Sequence, residues 1–203
     1  MTCTYSPEVI DKTITFHGHS CPGLAIGIRA AEYVKLNFSD TNPADLVCVT
    51  ETDMCGVDAI QYLTGCTYGK GNLIHRDFGK SAFSFYDRKA ERGVRLLLQP
   101  DSRGSDHDEL ALLMGKNSSG DITDPEKKRL SELRESIQKR LMHLPLKEIF
   151  QSQELQYSPP RPARVLQSLI CESCKEQTME SRTRRFGGQT LCIPCYEQVE
   201  QKI

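Results

Sequence analysis

Two Cys-x-x-Cys pairs, Cys171/Cys174 and Cys192/Cys195, stand 17 residues apart near the C-terminal end of this 203-residue sequence. That spacing is the one expected of a four-cysteine zinc site. Zinc imposes no geometry through its d-electrons, and four thiolates satisfy a tetrahedron around it. Each pair makes a tight knuckle that presents two sulfurs to one side. Thr183 to Leu191 reads as a hairpin with Gly187-Gly188 at its turn, and Tyr196 to Glu200 as a terminal helix. Knuckle, hairpin and helix in that order look like a treble-clef finger. A redox role would need only one pair, set in a thioredoxin-like βαβ pattern that is missing here. So short a segment has little core, so binding the metal is itself folding free energy.

The finger carries one basic cluster, Arg182, Arg184 and Arg185, but residues 171 to 203 hold five acids and five bases. The whole chain has a formal net charge of -1. Neither balance favours nucleic acid as the partner, and a solvated basic strand is the simpler reading. All nine cysteines bear on the compartment: the number is odd and four of them sit in metal-type pairs. A reducing environment follows. No apolar run approaches the ~20 residues of a membrane span. The N-terminal MTCTYSPEVIDK also lacks the basic start and apolar centre of a signal peptide. The expectation is a cytoplasmic protein with no membrane partner.

Upstream, hydrophobic periodicity predicts helices at 6–16, 22–38, 57–64 and 124–142. Strands are expected at 46–51, 73–78, 82–87 and 94–98, the last two joined as an antiparallel hairpin. Residues 99–122, rich in Gly, Ser and Asp, read as a loop. Helices followed by strand pairs, without regular βαβ alternation, indicate an α+β fold: helices packed on a mainly antiparallel sheet, with the small finger appended. The division expected is a core domain over 1–150, a linker over 151–168 containing Pro159-Pro160-Arg161-Pro162, and the finger over 169–203.

The core domain holds a second concentration of chemistry. His17-Gly18-His19-Ser20-Cys21-Pro22-Gly23 places two imidazoles and a thiol within five residues, feeding a helix. Cys21 stands at that helix's amino end and Cys55 at the amino end of the next, where free amides and the dipole favour a thiolate. His19, Cys21, Cys55 and Cys66 are therefore candidate ligands of a second transition metal, zinc among the candidates. If the site is catalytic, Cys21 or Cys55 is the nucleophile, with His17 or Asp58 as base. Cys48, inside an apolar strand, reads as a packing residue. Gly69-Lys70-Gly71-Asn72 lacks the spacing of a phosphate loop, though Lys70 could hold an anion.

These three stretches, His17 to Gly23, Cys55 to Gln61 and Thr64 to Asn72, resemble the FmdE family, named for one of the polypeptides of formylmethanofuran dehydrogenase. The resemblance spans residues 14 to 98, and the finger resembles an auxiliary module of some members. It implies an α+β core, a homodimer, and a metal-associated Cys/His site between helices. The family name implies methanogenesis, in which a molybdenum or tungsten enzyme reduces CO2 to formylmethanofuran. The chain has no iron-sulfur or pterin pattern of its own, so an accessory factor or subunit of that oxidoreductase is the economical expectation. The alternatives are a small stand-alone enzyme at the Cys/His site and a zinc-finger interaction or nucleic-acid module.

Overall fold

The computed structural model describes residues 3–156 and 159–200. Positions 157 and 158 of the expected linker and 201–203 of the finger lie outside them. The chain divides into two compact units, Met1–Pro162 and Ala163–Ile203.

In the first unit, α1 (Pro7–His17) starts at Ser6, whose side chain accepts the Val9 amide, with Pro7 in the first turn. α2 (Pro22–Asn37) is the central helix, buried along almost its whole length from Leu24 to Val34. β1 (Leu46–Thr50), α3 (Gly56–Thr64), β2 (Leu73–His75), β3 (Ala82–Asp87) and β4 (Arg92–Leu98) follow. β1 pairs in parallel with β2 and antiparallel with β3, β3 antiparallel with β4, and β4 antiparallel with β5 (Phe150–Glu154), giving the order β2-β1-β3-β4-β5. The sheet is thus mainly antiparallel, as expected of an α+β core.

Side-chain alternation separates its two faces. Cys48, Phe85, Val94 and Leu96 point to the helices and join Ala30, Val34, Ile60, Leu133 and Ile137 in one core. Val47, Val49 and Tyr86 point the other way, against Ile74 and Leu155. Cys48 is fully buried in that core, a packing residue as its strand context suggested.

Two stretches depart from the sequence reading. Residues 107–119, expected to be loop, form α4 (His107–Ser119), closed by Gly120 in the left-handed conformation. Only Leu110 and Leu113 are buried along it, while Leu112 and Met114 beside them are exposed, so the unbroken apolar run reveals no helical period. α4 packs on α5 (Asp124–His143), where the expected stripe of Leu130, Leu133, Ile137 and Leu141 is buried. A short turn of helix, α6 (Leu146–Ile149), then leads into β5, which occupies the start of the expected linker. Its Gln-Ser-Gln-Glu sequence carries no strand signal, because all four residues are exposed and backbone pairing with β4 alone holds them. Among the described residues no helix is long and apolar enough to cross a membrane.

A buried ion pair ties α2 to the end of α5. Arg29 meets Glu32 at 2.7 Å, each side chain 2% exposed. Arg29 also donates to the carbonyls of Leu141, Met142 and Leu144. The last carbonyls of α5 thereby find donors they would otherwise lack.

The second unit has two small hairpins and a helix. β6 (Ser168–Ile170) pairs with β7 (Gln177–Met179), and β8 (Thr183–Phe186) with β9 (Gln189–Cys192). Gly187 and Gly188, at φ +55 and +82, form the turn between β8 and β9. α7 (Ile193–Val199) follows directly from β9.

Candidate metal centres

In the C-terminal unit, the first knuckle lies between β6 and β7, with Lys175 at φ +66 completing the turn. The second straddles the end of β9 and the start of α7. All four sulfurs, from Cys171, Cys174, Cys192 and Cys195, lie within 4.8 Å of one another. Cys174 Sγ stands 3.8 Å from Cys192 Sγ. A zinc tetrahedron with Zn–S bonds of about 2.3 Å has edges of about 3.8 Å, so this pair already has the required separation. The Cys192 amide donates to Cys171 Sγ at 3.3 Å. That bond, with the Cys174 and Ser173 amides, pulls the Cys171 thiol down to about 6. Cys174, though the Glu176 amide lowers it, is pushed up to about 12 by desolvation and its sulfur neighbours. Such a donor set fits zinc.

The core group is assembled by a helix crossing. A Cβ on Gly27 of α2 would lie 2.1 Å from the Gly56 carbonyl oxygen of α3, and one on Gly56 would lie 3.0 Å from the Gly23 carbonyl oxygen. Bare backbone therefore lets the two helices meet near their amino ends. Cys21 is the N-cap of α2, its Sγ accepting the Leu24 amide at 3.3 Å. Cys55 is the N-cap of α3. Both sulfurs hang over Gly23, where a Cβ would be 3.7 Å from Cys55 Sγ and 3.8 Å from Cys21 Sγ.

The histidines arrive from the end of α1. Gly18, at φ +94, closes that helix through its amide to Ile14 and turns the chain back. The rings of His17 and His19 then lie 4.4 Å apart. His17 Nδ1 is 2.7 Å from Asp58 Oδ2, and Asp58 Oδ1 accepts from Gln61. With Nδ1 donating to the carboxylate, Nε2 carries a lone pair, and that atom is buried without a hydrogen-bond partner. A carboxylate behind a histidine whose far nitrogen is free is the arrangement that orients a metal ligand. One donor atom each from His17, His19, Cys21 and Cys55 lies within 4.8 Å of the others. Two nitrogens and two sulfurs suit a tetrahedral transition-metal site, and zinc is the commonest occupant of such a set.

Three of the sequence-predicted core ligands, His19, Cys21 and Cys55, are thus brought together. Cys66 is not. After the left-handed Gly65 the chain dives into the core, where Cys66 is fully buried and its thiol donates to the Leu46 carbonyl at 3.6 Å. Burial raises its pKa, as expected of a packed thiol. His17 lies within the group instead, with Asp58 hydrogen-bonded to its Nδ1. Cys55 also differs from expectation: burial raises its thiol, and the neighbouring Cys21 and Asp58 add to this, outweighing the helix end. Lys70 is exposed, over Gly65, outside the group.

The FmdE family model, described as that of the molybdenum formylmethanofuran dehydrogenase operon, matches residues 16–151. The chain belongs to the FmdE family. A prokaryotic dksA/traR C4-type zinc-finger model matches residues 166–201. This FmdE-family chain is also similar to a tungsten formylmethanofuran dehydrogenase FmdE-like protein from Syntrophus aciditrophicus, known from its crystal structure. The TM-score is 0.65 at 25% identity, over 100% of this chain and 97% of that one. A curated protein of Archaeoglobus fulgidus, described as a probable S-adenosyl-L-methionine-binding protein, is 29% identical over 188 residues. Those residues are 89% of this chain but 50% of the relative, so the chain spans about half that protein's length. Family and finger together make this a metal-binding protein.

Proposed function

We propose that this FmdE-family chain holds a second metal, zinc or a similar transition ion, at His17, His19, Cys21 and Cys55. In this reading it serves as an accessory factor or subunit of a molybdenum or tungsten oxidoreductase of the formylmethanofuran dehydrogenase type. The observation that carries the metal reading is the buried, unpartnered Nε2 of His17, a residue backed by Asp58 and grouped with two thiols. Four protein donors fill a tetrahedron, which suits holding an ion better than activating a water on it. The oxidoreductase link is drawn from the family and the similar Syntrophus protein. The cytoplasm is the compartment proposed, since all nine cysteines are free thiols. We take the working form to be a homodimer, which light scattering would check.

Metal content by mass spectrometry on anaerobically purified protein tests the first half. About two ions per chain are expected, falling to about one in Cys21→Ala/Cys55→Ala. An unchanged count would remove the core site. Affinity capture from the native host tests the second half: a molybdenum or tungsten oxidoreductase should co-purify, and its absence would end the accessory reading.

A further inference from the structure

We propose that Cys21 and Cys55 form a thiol pair that closes to a disulfide under hydroperoxide and thereby releases the core metal. The inference rests on the metal-holding reading above and adds its regulation.

The geometry favours closure. The two sulfurs overhang one glycine, Gly23, and lie within 4.8 Å of each other. Closure to a disulfide brings the two sulfurs from within 4.8 Å to about 2.05 Å. Both cysteines are half-buried and His19 beside them is exposed, so a small oxidant reaches them. Cys21 Sγ, which accepts the Leu24 amide at 3.3 Å at the amino end of α2, is placed as the first nucleophile.

The chemistry balances. Cys21 thiolate attacks a peroxide oxygen, the O–O bond breaks, and the departing hydroxide takes a proton to become water. Cys21 is then a sulfenic acid. Cys55 thiolate attacks that sulfur, the S–S bond forms, the S–O bond breaks, and the second hydroxide leaves as water on protonation. Two thiolates lose two electrons in all, and hydrogen peroxide gains them. Bridging removes both sulfur donors and leaves only the imidazoles of His17 and His19.

The scaffold makes the change reversible. The crossing at Gly27 and Gly56, with Leu24, Ile28 and Ala59 buried around it, is built from helix packing and needs no metal to persist. Reduction therefore returns both thiols to the same place. The C-terminal unit differs: its buried cluster is Cys171, Leu191 and Cys192, two of them ligands, so its fold goes with its metal.

The test uses the full chain, loaded and counted for metal under anaerobic conditions, then treated with hydrogen peroxide beside a chromogenic chelator. Free thiols are alkylated and the peptides mapped by mass. The expected result is release of about one ion per chain together with a Cys21–Cys55 cross-linked peptide lighter by about 2 Da. The helical circular dichroism should be retained, and dithiothreitol plus zinc should restore the site. A metal-loaded core that retains its ion, or releases it without the Cys21–Cys55 link, overturns the switch alone. Fresh protein with metal only in the finger overturns the metal reading and the switch together.

Discussion

Gly27→Ala should damage both the fold and the core site, because the obstacle to a new methyl is backbone. The added carbon would lie 2.1 Å from the Gly56 oxygen and 2.6 Å from its Cα, well over an ångström inside ordinary contact. No rotamer can relieve this, so α2 and α3 must part. Overpacking of this kind costs about 3 kcal/mol, and the better helix propensity of alanine returns about 1 kcal/mol. A net loss of about 2 kcal/mol lowers the melting temperature of a chain this size by roughly 4–8 °C. Parting the helices also draws Cys21 and Cys55 away from each other, so a chelator should strip the core metal more readily. Gly115→Ala is the control. Gly115 lies within α4 with nothing within 4 Å of its new carbon, and the change should stabilise by about 0.5–1 kcal/mol. Urea unfolding followed by helical circular dichroism, with metal counting, reads both variants. If Gly27→Ala is as stable as the parent and keeps its core metal, the crossing does not position the site.

Three further outcomes are expected. Arg29→Met leaves Glu32 charged and buried and three carbonyls unserved, costing about 3–5 kcal/mol in urea unfolding; adding Glu32→Leu should recover part of that, and no recovery would mean the pair is not the cause. Asp58→Asn keeps the shape around His17 but weakens its orienting bond, so core metal affinity should fall about 10–100-fold in chelator competition, with the finger's metal unmoved. Glu126, held down to about 2 by the Lys116 ammonium and then by the Thr123 amide and hydroxyl, contributes stability that is complete above its unfolded value near 4.5 and lost as pH falls toward 2. The stability gap between parent and Glu126→Gln should therefore be full at neutral pH and close across that window; a gap independent of pH would refute the assignment.

The finger was legible because its information is local: two ligands per knuckle are fixed by the x2 spacing, and the glycine turn between β8 and β9 is written in adjacent residues. α4 was not, because packing on α5 buries only two of its residues, although Asp108 and Glu109 in its first turn and Gly120 at its end did mark the boundaries. β5 left little side-chain trace, since only Phe150 is buried and the four residues after it are held by backbone pairing with β4.

The core site falls between these cases, and Cys66 shows why. Proximity in sequence to α3 and thiol chemistry made it as good a ligand on paper as His17. What separates them is direction. Gly65 turns the chain inward, toward Leu46, and Gly18 turns it outward, toward Cys21. Both glycines are helix C-caps with positive φ, at +71 and +94, so their presence was readable but the destination of the following residue was not. The deciding signals lay elsewhere, in Asp58 three positions beyond Cys55 and in the Gly23/Gly27 spacing on α2. The first gives His17 a carboxylate to lean on, and the second lets two helix amino ends meet. A group of candidate ligands gathered from three helix ends is specified by the residues that let the helices approach, and those carry no metal chemistry of their own.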